Sequence, residues 1–461
     1  MPRPYSQFRS EAERDADERR GQALERQLAA EVSAVATTFV DHAGAGRVKT
    51  VPLSKLASAA RSGLGFSPVI DAFTSVGGID GQSPLGIPDG DLRMVPDLDA
   101  LAVLPVPEGW AWAPGDRFYQ DGTVYPGCQR SFARAQVAAG LSKGISALMA
   151  FELEWMIGEE EDDFHPAVTG TGYGLSRLLG AADYAREVIE SLESAGVGVE
   201  QLHPEYGPGQ FEISVSPQDP VSAADTCLLV KLTIAAVTAR HGMRATFAPA
   251  VLTDNVGNGG HLHVSFWQDG GNLLAGGTGR HGLTGRGESM MAGLLAGLPA
   301  LLAIGAPMPG SYLRLQPSRW AGVYQVWGTE NREAAVRFIE GSPGAPGAAN
   351  VELKCFDASA NPYLLAGAVM AVALASAGRQ DSLPGEVSGD PGVPGHPLAG
   401  QAARLPASLA ESLKALEADD VLRAAAGDML ISTFAASRRA EIALAEGKSA
   451  EQIVAQSRWL L

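Results

Sequence analysis

Four short segments of the chain alternate between apolar residues and residues with acidic, imidazole, amide or hydroxyl side chains. They read FELEWMIG (151–158), GQFEISVS (209–216), GGHLHVSF (259–266) and VELKCF (351–356). Side chains of a β-strand alternate between its two faces, so each segment predicts a strand with one apolar face. A single strand of this kind is typical of a half-solvated antiparallel sheet. Four of them, with Glu, His and Ser on their polar faces, predict one sheet whose concave face carries chemically active groups.

The composition is that of a globular protein with room for two or more domains. The chain has 461 residues, of which 46% are hydrophobic and 19% are charged. Its formal net charge of −17 argues against a nucleic-acid partner, which would require a basic surface. Three cysteines without a C-x-x-C spacing predict a reducing compartment, and Cys355 falls on the apolar face of its strand and is predicted to be core.

The sequence gives no sign of a targeting or membrane segment. The N-terminal MPRPYSQFRSEAERDADERR lacks the apolar stretch of a secretory signal. No run reaches the roughly 18 apolar residues that a membrane span needs. We therefore expect a cytoplasmic protein with no membrane partner.

The chain divides into three parts by pattern. Residues 1–30 are charged and predict a solvated or partly disordered N-terminal arm. Residues 31–115 predict a small β-rich unit, with a Gly-, Pro-, Ser- and Asp-rich loop at 63–92. In residues 116–461 long helices separate the predicted strands, which is typical of an α+β catalytic body.

Carboxylates concentrate on the predicted polar face and in the bend beside it. They are Glu152, Glu154, Glu205, Glu212 and Glu352. Like charges at short range are costly, and divalent cations would compensate them. Oxygen-rich ligands with one imidazole favour Mg²⁺ or Mn²⁺ over zinc. Arginines follow in SYLRLQPSRW (311–320) and ENREAAVRF (330–338), and arginines beside such ions are typical of phosphoryl transfer. No Walker A sequence or kinase-type glycine loop is present.

The order of these motifs resembles the bacterial (type I) glutamine synthetase family. In sequence they are FELEW, HPEYGPGQFE, NGGHLHVS, RLQP, ENREAAVR and VELKCFDASANPYL, and the resemblance runs from about residue 35 to the C-terminus. It implies a small N-terminal β-grasp domain, followed by a catalytic domain with a curved antiparallel sheet surrounded by helices. It also implies a homo-dodecamer of two stacked hexameric rings, with each active site at a subunit boundary.

The resemblance further implies roles for individual residues. One metal ion would be held by Glu154, Glu205 and Glu212. A second would be held by Glu152, His261 and Glu352. Glutamate would be bound by Asn258, Gly259, Arg314 and Lys354. The co-substrate ATP would be bound by Glu200, His263, Ser265, Arg332 and Arg337. Glu200 could instead simply cap the strand in AGVGVE. Arg319 is predicted to be a surface arginine.

Three positions depart from the ammonia-using members of the family. Trp320 stands where those enzymes carry a flap glutamate that takes a proton from ammonium. An indole cannot accept that proton, but it offers an apolar face and a cation–π attraction of roughly 0.5–2 kcal/mol. The alternative is that Trp320 packs beneath a shifted flap. Lys354 replaces an arginine, and Glu330 adds an acid near the predicted amine entrance. No tyrosine follows Tyr363, so tyrosine adenylylation is impossible in that part of the chain.

These departures resemble the glutamine-synthetase-like enzymes that join glutamate to polyamines or other amines. We expect ATP to phosphorylate the glutamate γ-carboxylate and an amine to displace the phosphate, with Trp320, Arg332 and Arg337 nearest the reacting groups. Two alternatives stay open: an ammonia-using glutamine synthetase with a substitute base, and a catalytically inactive assembly protein. The sequence leaves open which amine is used, and whether Asp71 or Asp80 reaches a neighbouring subunit's site.

Overall fold

The N-terminal part of the protein is built on a six-stranded sheet. The computed structural model describes residues 6–81, 83–161 and 163–460. Within them the strands of this sheet are β1 (Ala34–Val40), β2 (Gly46–Pro52), β3 (Leu64–Phe66), β4 (Leu92–Pro96), β5 (Ala102–Leu104) and β6 (Trp110–Phe118). Their order is β2-β1-β6-β4-β3, with β5 on β6, and only β1 and β6 pair in parallel. The expected domain boundary at residue 115 lies inside β6.

The charged N-terminal segment is a packed helix, so the prediction of a solvated arm is wrong for most of its length. Helix α1 (Glu11–Leu28) lies against α2 (Leu56–Ser62). Leu24 and Leu28 are buried in a small core with Leu56. These two leucines are four residues apart and therefore share one face of the helix. Most charged residues of the segment lie on its other faces, while Asp17 is buried and pairs with Arg9 at 2.6 Å.

The catalytic part holds a nine-stranded sheet. Its strands are β7 (Ile145–Glu159), β8 (Val199–Pro204), β9 (Gln210–Val215), β10 (Met243–Thr246), β11 (Gly260–Gln268), β12 (Gly271–Asn272), β13 (Tyr324–Thr329), β14 (Ala334–Ile339) and β15 (Asn350–Leu353). The order is β13-β14-β15-β11-β7-β9-β8, with β10 on β7 and β12 on β11. Every pair is antiparallel except β13 with β14. The four alternating segments are β15, β11, β7 and β9, which are consecutive neighbours, so the prediction of one shared sheet is confirmed.

Helices surround this sheet, and several of them pack on its apolar side. They are α3 (Gln129–Ser142), α4 (Leu175–Gly180), α5 (Ala182–Ser194), α6 (Pro220–Arg240), α7 (Gly285–Gly305), α8 (Ser311–Arg314), α9 (Pro362–Ser376), α10 (Leu409–Glu417), α11 (Asp420–Ala445) and α12 (Ala450–Ser457). Apolar strand residues such as Trp155, Phe211, Leu262 and Val351 are fully buried in one core with these helices. Cys355 is buried there too, as predicted. The α+β class predicted from the sequence is confirmed.

Two of these helices are long and apolar enough to cross a membrane by length and composition alone. They are α6 and α7, and the sequence analysis did not single them out. Inside the protein 67% of the apolar window of α6 and 78% of that of α7 are buried. Because core helices of this length pass the same test, their burial accounts for their composition.

Candidate active site

A cavity of about 800 Å³ opens over the polar face of the large sheet. Glu152, Glu154, Glu212 and His261 reach it from three neighbouring strands, because they occupy the outward positions of the alternating pattern. Other described residues on its wall include Tyr173, Glu205, Tyr206, Asp254, Arg314, Arg319, Trp320, Arg332, Lys354 and Glu451.

The trio Glu152, His261 and Glu352 is brought together at one end of the polar face. His261 lies opposite Glu152 in the register of β11 and β7. Its Nδ1 is 3.0 Å from Glu152 Oε1 and 3.2 Å from Glu352 Oε1. Arg337 and Lys354 each donate to Glu352 at 3.0 Å. Burial would raise the pKa of Glu352, but Lys354 and the neighbouring histidines lower it to about 2.

Glu154 and Glu212 face each other at the other end, in the register of β7 and β9. Glu154 accepts a hydrogen bond from the Gly259 backbone N–H at 2.8 Å, and Glu212 Oε1 lies 3.0 Å from His203 Nε2. Burial is the main reason that the pKa of both carboxyls is raised to about 7. Arg314 opposes the rise at Glu154 and Glu205 adds to it, while His203 opposes it at Glu212 and Glu152 and Glu154 add to it. Within the described residues, the two carboxylates form ion pairs only with histidines.

Three groups of acid and histidine side chains are compact enough to hold a metal ion. In each group the ligand atoms lie within 4.8 Å of one another. The groups are Glu152, His263 and Glu352; Glu152, Glu212 and His261; and His203, Glu205 and Glu212. Oxygen-rich sets with an imidazole fit divalent cations, and the crowded acids provide the charge that such ions would neutralise.

This grouping differs in part from the sets expected from sequence. His203 and His263 join the acids, and Glu154 belongs to none of the three groups among the described residues. Its Oε2 already accepts hydrogen bonds from Gly259 and from Gln210 Nε2. His203 was missed by sequence reasoning, although the H-x-E spacing with Glu205, directly before the bend, was the available signal.

Of the five residues expected at ATP, only Arg332 lies on the cavity wall formed by the described residues. Ser265 accepts from Trp267 Nε1 at 2.9 Å, and Glu200 is exposed on the edge strand β8. Arg337 pairs with Glu352 and, at 2.5 Å, with Glu330.

His263 lies behind the cavity wall in a similar way. Its Nδ1 is 3.0 Å from Asn350 Oδ1, while its Nε2 is buried without a hydrogen-bond partner among the described residues. Burial would lower the pKa of His263, but the carboxylates of Glu152 and Glu352 raise it to about 9. Its Nε2 lies 3.8 Å from Glu152 Oε2, so the imidazole places positive charge beside that carboxylate.

The residues expected to bind glutamate divide into two groups. Arg314 and Lys354 line the cavity. Arg314 is only 7% exposed, and its Nη1 is buried without a hydrogen-bond partner within the described structure. Asn258 is fully buried and uses its amide to hold two backbone carbonyls, at Thr246 and Ala248.

Gly259 has a steric reason to be glycine. A Cβ at this position would lie 2.3 Å from His261 Nε2, so any other residue would displace that imidazole. The backbone of Gly259 can therefore approach both Glu154 and His261.

The two residues expected near the amine behave differently. Trp320 lies on the cavity wall with 62% of its surface exposed, so the alternative in which it packs beneath a flap is wrong for this structure. Glu330 is not on that wall, because its half-exposed carboxylate is paired with Arg337. Tyr173 and Tyr206 were not foreseen, yet both present exposed rings to the cavity.

The two aspartates of the 63–92 loop also differ. Asp71 is buried and accepts from Arg117 Nη1 at 2.6 Å. It is therefore bound within its own chain and is not available to a neighbouring subunit. Asp80 is only partly buried.

A sheet that gathers carboxylates, imidazoles and arginines around an open cavity is typical of metal-dependent enzymes of phosphoryl transfer. The sequence model described as "Glutamine synthetase, catalytic domain" matches residues 126–456. The chain therefore belongs to the glutamine synthetase family, and the resemblance drawn from its motifs is confirmed. Enzymes of this family use ATP and divalent metal ions.

Individual relatives agree with this assignment. The chain is 48% identical to the gamma-glutamylpolyamine synthetase GlnA3 of Streptomyces coelicolor, over 93% of each chain. It is 32% identical to the glutamine synthetase of Halobacterium salinarum, over 81% of this chain and 84% of that one. A solved structure described as a novel glutamine synthase homolog superposes with a TM-score of 0.84 at 31% identity, over 93% of this chain and 99% of that one. A GmaS/ADP complex superposes with a TM-score of 0.82 at 28% identity, over 92% and 97%.

Proposed function

We propose that this protein is an ATP-dependent ligase that joins the γ-carboxyl group of glutamate to a primary amine of a polyamine. The observation that carries the amine class is Trp320, whose indole is exposed on the wall of the cavity. The relative with polyamine in its name supports the same class. An ammonia-using synthetase is disfavoured, because an indole offers ammonium neither a charge nor a proton acceptor.

The wall near Trp320 suits a long, flexible cation. Tyr173 and Tyr206, which lie beside Glu205, add aromatic faces to the same cavity, and such faces attract ammonium groups. Asp254 and Glu451 add carboxylates to its wall. A cavity of about 800 Å³ is far larger than ammonium requires. We assign the second ammonium group of the amine to this wall.

The part of the cavity lined by Arg314 and Arg332 suits glutamate and the transferred phosphate. The partnerless Nη1 of Arg314 is available to a carboxylate, and Arg332 presents an exposed guanidinium to a phosphate. Two or more Mg²⁺ or Mn²⁺ ions, held by the acids and by His261, would neutralise charge on the phosphates when bound. The ligands we propose are Glu152, Glu154, Glu205, Glu212, His261 and Glu352.

The reaction has two steps. A γ-carboxylate oxygen of glutamate attacks the terminal phosphorus of ATP, and ADP leaves, which gives γ-glutamyl phosphate. The unprotonated amine nitrogen then attacks the acyl carbon, the C–O bond to phosphate breaks, and the nitrogen loses one proton. Because Trp320 cannot accept that proton, a neighbouring carboxylate or solvent takes it.

The test is phosphate release by the purified protein with ATP, glutamate and Mg²⁺ or Mn²⁺. The amines compared are ammonium, ethanolamine, a monoamine, putrescine and spermine, and mass spectrometry identifies the amide product. We expect the γ-glutamyl amide of a polyamine to form fastest. Glutamine formed as fast as any other amide would replace this proposal with an ordinary synthetase, and no ATP turnover with any amine would leave only an assembly role.

We also propose that the enzyme is a cytoplasmic dodecamer of two hexameric rings. Leu175 and Leu179 on α4 are 69% and 66% exposed, which supports a partner surface there. Light scattering at assay concentration tests the assembly, and a fully active monomer would contradict it.

A further inference from the structure

The loop that carries Trp320 has an unusual backbone. Ser318 has φ +57° and Trp320 has φ +56°, so two residues with side chains adopt the left-handed conformation within three positions. That conformation is unfavourable for residues other than glycine and persists only where the surroundings enforce it. The exposed indole cannot hold the loop by packing, since 62% of the residue surface is open.

Glu333 supplies the restraint. Its Oε1 accepts the Ser318 backbone N–H at 2.9 Å, and its Oε2 accepts the Trp320 backbone N–H at 2.8 Å. One carboxylate therefore binds both left-handed residues at once. Glu333 is 4% exposed and immediately precedes β14, so it stands on a rigid element while the loop that it holds is exposed.

The use of a buried acid for this purpose is informative. No described lysine or arginine lies within ion-pair distance of Glu333, and burial, with the nearby Asp390, raises its pKa. A buried carboxylate without a cationic partner is costly. Its principal contacts are the two backbone N–H groups of the Trp320 loop, and the preceding residue, Arg332, lies on the same cavity wall.

We propose that Glu333 is a positioning residue that fixes the indole of Trp320 on the cavity wall and thereby sets selectivity for the amine. The inference rests on the proposed amine-binding role of Trp320. Glu333 itself is not on the cavity wall formed by the described residues and acts through the loop. We therefore expect that loosening this loop weakens the binding of the amine and leaves the binding of glutamate and ATP unchanged.

The first experiment measures the loop without reference to activity. Arg319 is exposed beside Trp320, so trypsin can cleave after it when the loop moves. Glu333→Gln keeps the shape and loses one of two acceptors, which is expected to raise cleavage at Arg319 about fivefold; Glu333→Ala should raise it more. Glu340→Gln changes an exposed acid just past the far end of β14, where it contacts His281 and not the Trp320 loop; it is the matched control and should match wild type. Unchanged cleavage in Glu333→Gln would overturn the restraint.

The second experiment measures the substrates separately in the assembled enzyme. Glu333→Gln should raise KM for the preferred polyamine about fivefold, with KM for glutamate and ATP unchanged. In a Trp320→Ala background the same substitution should have no further effect on the KM of the amine. An equal rise for all three substrates, or a further rise without the indole, would overturn the positioning role. If the wild-type enzyme uses no polyamine while cleavage responds as expected, the proposed function fails, and the link to selectivity fails with it.

Discussion

Two dense clusters of charged side chains in this protein differ in how their acids are paired. Between the two sheets, Arg130 pairs with Asp97, Asp116 and Asp225 at 2.8, 2.9 and 2.7 Å, and Arg134 pairs with Asp97 as well. All of these side chains are at most 10% exposed. Each of the three aspartates there pairs with at least one of the two arginines. Around the cavity, Glu154 and Glu212 have no arginine or lysine within ion-pair distance among the described residues and pair only with histidines.

The difference separates a structural cluster from a functional one. A buried network in which every aspartate is paired ties α3 and α6 to the N-terminal sheet. At the cavity, burial, together with neighbouring carboxylates, raises the pKa of Glu154 and Glu212 to about 7, so keeping both ionised without a bound cation is costly. Such uncompensated charge is expected where a site must take up cations.

Breaking the buried cluster around Arg130 should have the largest effect on the stability of the protein. Arg130→Met leaves buried aspartates without their partner and should lower the free energy of unfolding by about 3–5 kcal/mol, measured by urea denaturation. The control is Arg186→Met, which removes an exposed pair with Glu190 at 2.9 Å and should leave the free energy of unfolding nearly unchanged. Equal effects of the two substitutions would deny Arg130 its structural role.

The opposite pattern is expected at the cavity. Glu212→Ala and Glu154→Ala each remove a proposed anionic ligand and should lower phosphate release at least about 100-fold. The metal-free protein should keep its stability, because one of several repelling acids is gone. Thermal unfolding with and without Mn²⁺ checks this: the ion should stabilise the wild type and have a smaller effect on either variant. Full activity in either variant would remove the metal assignment.

These two clusters also show which contacts can be predicted from the sequence and which cannot. The alternating pattern predicted β7, β9, β11 and β15 as neighbours, because a period of two fixes which side chains share a face. Pairings between distant segments have no such local signature. Arg130 with Asp225 and Glu333 with the Trp320 loop depend on how separate elements pack, and neither was foreseen.

Competition between partners explains the remaining misses. Glu330 was expected at the amine entrance, but Arg337 lies within 2.5 Å and takes its carboxylate. The apolar face of α1 lies within a segment of mostly charged residues. The overall charge of that segment therefore gave no sign of the face. A residue's neighbours in space decide such cases, and the sequence does not name them.

Two histidines extend the comparison to pH. Burial lowers the pKa of His42, beside the N-terminal sheet, to about 4, whereas the pKa of His263 at the cavity is raised. A lowered histidine pKa means that the unfolded chain binds the proton more tightly, so stability falls as pH drops from about 6.5 towards 4. His42 should contribute roughly 2 kcal/mol to this loss between pH 7 and 5.

Urea denaturation across that range measures the contribution. His42→Gln should make the dependence on pH shallower by up to one proton, which is about 1.4 kcal/mol per pH unit. His165→Gln, at an exposed histidine, is the control and should keep the slope of the wild type. An unchanged slope in His42→Gln would show that another group carries the acid sensitivity.

The smallest expected effect concerns the amine. It tests Trp320 as a part of the cavity wall that carries no charge. Trp320→Ala should raise KM for a polyamine roughly 2- to 30-fold, the equivalent of a 0.5–2 kcal/mol cation–π contact, with KM for glutamate unchanged. Trp320→Phe keeps an aromatic ring and should raise KM for the polyamine less than Trp320→Ala does. Trp320→Glu should shift preference towards ammonium, since it restores a charge where that small cation would bind. The deciding measurement is turnover with saturating ammonium relative to saturating polyamine in each variant. If Trp320→Ala and wild type share the same ratio, the aromatic wall has no part in amine choice, and the acids at Asp254 and Glu451 become the residues to substitute next.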